Sequence, residues 1–152
     1  MINKNMKKKL MATLISTAIF IAVSHPETYK FTDNLVSQYT GQSGMIMTNN
    51  CPTVEGTFVH LLVFGVASYL SMYLRNKKKE KKLTQKAKVK YSFYASVLWF
   101  ILSNKETYKL TSSLFSTELA NQNGCPSGEG VIAHGLVYAG ILFTLMALSK
   151  NC

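Results

Sequence analysis

Acidic residues are scarce in this 152-residue chain: seven, against seventeen lysines and arginines, for a formal net charge of +10. Charge of either sign is missing from four long stretches: Leu10 to Val23, Gly56 to Leu74, Tyr91 to Leu102 and Gly130 to Leu148. A soluble helical bundle keeps a charged outer face on each helix, so these blocks argue against one. Proline and cysteine are sparse, at three residues each, and no C-x-x-C occurs. That removes a disulfide scaffold and a dithiol redox motif. Phosphate-binding loop, zinc quartet, catalytic triad and paired carboxylates are all missing too, so no enzyme class is indicated.

What is present reads as membrane protein. A spanning helix needs ~20 apolar residues, with a range of roughly 17–25. The blocks at 56–74 and 130–148 meet that length. Those at about 10–24 and 89–102 are short, and Leu10 to Ser24 rises only about 22 Å as a helix. They span if flanking lysines snorkel or the bilayer thins. Met1 to Val23 also has the layout of a signal peptide, with lysines, an apolar run and then A-V-S. The same layout recurs at the third block, deep inside the chain, so the segment reads as a retained span.

The lysines orient the spans. Met1 to Lys9 holds four lysines, and Arg75 to Lys90 holds nine basic residues and one Glu. Segments 24–55 and 103–129 carry three acids each, with one and two lysines. The positive-inside rule places both termini and the 75–90 loop on one side, cytoplasmic or virion-interior, and the two acidic segments on the other. Within the loop, Arg75, Lys77, Lys78, Lys79, Lys81 and Lys82 are expected to meet anionic lipid headgroups. The same run can touch packaged nucleic acid through its phosphates.

Two words occur twice. S-H-P-E-T-Y-K-F-T-D-N-L begins at Ser24, and S-N-K-E-T-Y-K-L-T-S-S-L begins seventy-nine residues later at Ser103. After a five-residue deletion, C-P-T-V-E-G-T-F-V-H-L-L-V-F from Cys51 matches C-P-S-G-E-G-V-I-A-H-G-L-V-Y from Cys125. The chain therefore reads as a tandem duplication. The expected fold is all-α: four spans in two helical hairpins, 1–74 and 91–152, joined by the basic connector 75–90. Each hairpin carries a short amphipathic helix and loop on its outer side, and the two copies enter the membrane in the same orientation.

Each recurring residue has an expected part. Ser24 with Glu27, and Ser103 with Glu106, have the spacing of capping boxes. Tyr29 and Tyr108 suit the membrane–water boundary. Cys51-Pro52 and Cys125-Pro126 are placed to open the second span of each hairpin, with proline in the first turn. The two cysteines sit at equivalent sites and pair with each other in an oxidising compartment, or stay thiols in a reducing one. Gly56 and Gly130 permit close helix packing. His60 and His134 are the sharpest chemical candidates. Each lies five residues after a Glu, about 140° round the helix, so Glu and His do not share a site. As a symmetric pair the histidines could ligate a haem iron or serve a small transporter or channel. The plainer expectation is a neutral imidazole hydrogen-bonded between helices, with no cofactor and no metal.

The paired words S-x-x-E-T-Y-K-[FL]-T-x-x-L and C-P-x-x-E-G-x-x-x-H-x-L-V-[FY] resemble small multi-pass membrane proteins of nucleocytoplasmic large DNA viruses. That resemblance implies a location, the internal membrane of a virion beneath its capsid, and a structural role as a minor capsid component. The implied partners are the lipid bilayer, capsid or other viral membrane proteins, and an oligomer is compatible with the pattern. Outer segments 24–55 and 103–129 are the expected contact surface, since loops beyond ~12–15 residues are usually functional.

Overall fold

A computed structural model describes residues 4–76, 84–115, 118–121 and 123–148. Six helices account for most of them: α1 (Lys4–Ser24), α2 (Pro26–Thr40), α3 (Val54–Asn76), α4 (Gln85–Ser103), α5 (Lys105–Phe115) and α6 (Gly128–Leu148). Two very short strands, β1 (Met47–Thr48) and β2 (Cys51–Pro52), pair antiparallel between α2 and α3. α1, α3, α4 and α6 form a bundle in which α1 packs on α6 and α3, and α4 packs on α3 and α6.

α3 and α6 are each long and apolar enough to cross a membrane. Met6–Ser24 and Pro26–Thr40 satisfy the same test only as a joined pair, bent by 57°. α1 and α4 run further than their apolar blocks, because lysine-bearing turns extend them at the N-terminal end. α4 starts inside the basic connector, where the Thr84 hydroxyl accepts from the Ala87 N–H. The contacts expected of Lys77, Lys78, Lys79, Lys81 and Lys82 lie outside the described residues. Arg75 is described, and its guanidinium donates to the Lys8 carbonyl at 3.4 Å. Close by, Lys9 donates to the Met146 carbonyl at 2.5 Å. The N-terminal turns of α1 and the C-terminal ends of α3 and α6 therefore meet at one end of the bundle.

At the other end, Cys51 and Cys125 are joined by a disulfide, with Cα atoms 5.0 Å apart. The proline expectation needs correction. Pro52 lies in β2 and Pro126 in a bridge to Ala120, both ahead of their helices. Thr53 and Ser127 are the residues that cap, each hydroxyl accepting from a glycine N–H, Gly56 at 2.9 Å and Gly130 at 3.0 Å. The two glycines also serve a different neighbour from the one expected. A Cβ on Gly56 would collide with the Ile46 carbonyl, and one on Gly130 with the Leu119 carbonyl. Each glycine thus admits the backbone of its own outer loop, not a second helix.

The bundle buries polar groups beside an aromatic core and is apolar outside. Thr13, Thr17, Ser24, His60, Ser68, Lys88, Ser92 and His134 are buried. Leu10, Leu14, Leu62, Val66, Leu70, Phe93, Val97, Ile101, Leu136 and Leu145 are exposed. The apolar core is small: Phe20, Val23, Phe64, Ala95, Trp99, Leu102 and Tyr138.

The first outer loop is organised by one carboxylate. Asp33 accepts from the backbone N–H groups of Ile46 at 2.8 Å, Gly44 at 3.2 Å and Met47 at 3.3 Å. The chain then reverses through Asn49 and Asn50, both left-handed, as a two-residue hairpin between paired strands requires. The second loop lacks this carboxylate, since Ser112 stands at the matching place. There Asn121 does similar work, accepting from the N–H groups of Asn123 and Cys125.

Hydrogen bonds, first from Ile46 and then from Gly44 and Met47, hold the Asp33 carboxyl below its ordinary range. A depressed carboxyl stabilises the fold above its unfolded pKa of about 3.9 and loses that contribution as pH falls through the folded value. Asp33→Ala should therefore lower the thermal midpoint by a constant amount at pH 5 and above. The gap to wild type should close on acidification below pH ~4. A gap that widens in acid would contradict the assignment.

Candidate functional site

The site begins with what a helix end lacks. The last carbonyls of a helix have no intrahelical donor. At the end of α1, Pro26 has no N–H to give the Ala22 carbonyl. The Glu27 N–H, which would serve Val23, goes instead to Nδ1 of His25 at 3.3 Å. Both carbonyls are then supplied by side chains. The Thr28 hydroxyl donates to Ala22 at 2.6 Å, and Nδ1 of His60 donates to Val23 at 2.7 Å. The end of α4 repeats this in detail. The Glu106 N–H goes to the Asn104 side-chain oxygen at 3.0 Å. The Thr107 hydroxyl donates to Ile101 at 2.6 Å, and Nδ1 of His134 donates to Leu102 at 2.7 Å.

A carbonyl only accepts, so each histidine carries its proton on Nδ1. That leaves Nε2 as an acceptor, and a threonine hydroxyl lies beside it: Thr32 at 3.1 Å from His60, Thr111 at 2.8 Å from His134. A tyrosine ring closes each pocket. Tyr29 stacks on His60 with centroids 3.7 Å apart, and Tyr108 on His134 with centroids 3.9 Å apart. Each histidine therefore ties α3 or α6 to the preceding long helix and to the short helix that follows it.

The geometry bears directly on the chemical candidates. An axial haem ligand needs a free ring nitrogen. In each histidine Nδ1 is held by a carbonyl and Nε2 lies against a threonine hydroxyl, so ligation through Nε2 would have to displace that hydroxyl. Nor do Glu55 and Glu129 join the histidines; they lie in the first turns of α3 and α6. Among the described residues no group of three His, Cys, Asp or Glu side chains is arranged to hold a metal ion.

The expected capping boxes are not formed. His25 caps α2, with Pro26 in the first turn, and Asn104 takes the corresponding place before α5. The cap sits one residue later than the S-x-x-E spacing requires, so Glu27 is too near it to reach back. Glu27 pairs with Lys30 at 2.8 Å on the surface. The serines are used between the two halves of the chain. Ser24 and Ser103 hydroxyls lie 3.1 Å apart, and the Trp99 indole N–H donates to Ser24 at 2.9 Å.

Tyr29 and Tyr108 are also placed differently from expectation. Both are buried under their helices, at 2% and 1% exposure, and do not line the lipid boundary. Burial pushes both phenols above their ordinary pKa, and the neighbouring Tyr29 raises Tyr108 further. Their hydroxyls differ in one respect. The Thr57 side chain interacts with the Tyr29 phenol. In the second half Val131 stands at the place of Thr57, and the buried Tyr108 hydroxyl has no hydrogen-bond partner among the described residues.

Removing a satisfied buried hydroxyl costs stability, whereas removing an orphaned one relieves a desolvation penalty of about 1–3 kcal/mol. Tyr29→Phe should lower the thermal midpoint in a fixed detergent or lipid. Tyr108→Phe should raise it, with ΔΔG of about 1 kcal/mol. Equal losses from the two variants would show that Tyr108 has a partner after all.

Comparison of the chain with protein-family models, curated proteins and solved structures returned no match.

Proposed function

We propose that this chain is a non-enzymatic structural protein of a membrane, crossing the bilayer four times as two tandem helical hairpins. The observation that carries the reading is the apolar exterior of all four long helices, which surrounds an interior of aromatic side chains, hydroxyls and histidines. α1 and α4 are 21 and 19 residues long, so each reaches about 30 Å, close to the hydrocarbon thickness. Their lysines cluster in the N-terminal turns, where long stems carry ammonium groups to the headgroups. Lys88 is the exception: it is buried, with its ammonium over the Tyr73 ring at 4.9 Å. The matched bonds of His60 and His134, and of Thr28 and Thr107, support reading the two halves as copies of one hairpin.

Both acidic segments, 24–55 and 103–129, belong to the end that carries the disulfide, and the lysine-bearing first turns of α1 and α4, with Arg75, belong to the other. In this reading the disulfide end is the outer side, and the basic end meets anionic lipid or nucleic acid. The viral setting follows from the resemblance of the repeated words: the membrane would be the one inside a virion, and the outer segments would meet the capsid shell. A bridge between the two outer segments suits that task, because it fixes them as one surface.

The test is amine cross-linking of intact virions, using Lys30, Lys105 and Lys109 as handles on the outer side, with mass spectrometric identification. Cross-links from these lysines to a shell protein are expected. If they reach only other copies of this chain or unrelated membrane proteins, the shell-contact role is wrong.

A further inference from the structure

α2 and α5 each bury a single residue, Tyr29 and Tyr108. Each leaves a row of large apolar side chains uncovered. On α2 these are Phe31 at 63%, Leu35 at 40% and Tyr39 at 89% exposure; on α5 they are Leu110 at 58%, Leu114 at 68% and Phe115 at 70%. We infer that these two rows are bilayer contacts: α2 and α5 lie in the outer headgroup layer with Phe31, Leu35, Leu110 and Leu114 resting on phospholipid. The inference depends on the membrane-spanning reading above and adds two monotopic elements to it.

Thr28 and Thr107 supply the direction. Each hydroxyl reaches back to a carbonyl in the last turn of the preceding long helix. For α2 this marks the side that lies inside the 57° bend from α1, facing the membrane. Leu35 is seven residues from Thr28, within about 20° of two full turns, and Tyr39 is eleven residues away, within about 20° of three. Leu114 is seven residues from Thr107 and shares its side in the same way. Phe31 and Leu110 lie about 60° to one flank. The polar residues occupy a separate face: Glu27, Lys30, Asn34 and Gln38 on α2, and Glu106, Lys109 and Ser113 on α5. An amphipathic helix in an interface sinks its apolar face ~5–10 Å into the boundary and keeps its charges in water.

Depth agrees with this. With α1 along the membrane normal and a 57° bend, Leu35 stands only ~6 Å further out than Thr28, and Tyr39 ~9 Å. The headgroup layer is roughly 5–8 Å thick on each side. Leu35 then lies within it, and the Tyr39 hydroxyl reaches water. On the spans themselves Phe58 and Ile101 are exposed near the same end. Apolar span surface at that end favours lipid over a protein partner.

Tryptophan fluorescence in phosphatidylcholine vesicles tests this, using lipids brominated near the ester end or near the methyl end of the chains. Native Trp99 is fully buried and supplies a constant background. The variants are Phe31→Trp and Leu114→Trp, with Val66→Trp, exposed near the middle of α3, as the reference. Phe31→Trp and Leu114→Trp should be quenched at least about two-fold more strongly by the shallow bromines than by the deep ones, as an interfacial depth requires. Val66→Trp should show the reverse order. If Val66→Trp is quenched and the other two are not, the stripes face water or protein and the inference is overturned. If Val66→Trp is also unquenched, the membrane-spanning reading falls with it.

Discussion

A helix end buried in protein must find donors for its last carbonyls. Most of the outer half of this protein follows from how that need is met. α1 ends because proline follows, which strips the Ala22 carbonyl of its N–H. A side-chain cap at His25 diverts the next N–H from Val23. Thr28 and His60 fill the two vacancies, and in filling them they fix the bend between α1 and α2 and the register of α3 against α1. The second half makes the same hydrogen bonds without proline, since Lys105 stands at the place of Pro26. The side-chain cap and the histidine bond therefore do not require proline.

The same accounting explains the polar interior. Several threonine and serine hydroxyls return bonds to their own helices, as Thr13 does to Lys9, or bond across, as Ser92 does to the Gly65 carbonyl and Ser16 to Tyr138, while Thr17 and Ser68 have no partner among the described residues. Such bonds join neighbouring helices directly. Above them, Phe20, Phe64, Trp99 and Tyr138 pack face to face or edge to face and close the middle of the bundle. Covalent linkage then comes at one end only, where Cys51 and Cys125 lock the two outer loops together.

Much of this was legible in the residues. Uncharged blocks mark the long helices, and the equivalent placement of Cys51 and Cys125 makes them natural partners. The caps were not read correctly from Ser24 and Ser103, although the signal was present: Pro26 in a first turn places the cap at His25. The histidine partners were missed for a physical reason. Thr32 and Thr111 approach His60 and His134 only after the bend, which brings together residues far apart in sequence. Yet Thr28, Tyr29, Thr32 and His60 are among the residues that recur in both halves, and each belongs to the network. Recurrence therefore marked the members, while only the fold shows the bonds. Asp33 carried no such mark, because the two outer loops differ in length and solve their turns with different side chains.

The account as a whole depends on sidedness: apolar flanks in lipid, the disulfide end on one face and the basic end on the other. The decisive measurement uses sealed proteoliposomes of uniform orientation. After reduction, Cys51 and Cys125 are exposed to a membrane-impermeant thiol reagent, and the connector from Arg75 to Lys90 is exposed to a protease. The account predicts that the reagent and the protease act from opposite faces. Modification and cleavage from the same face would contradict it.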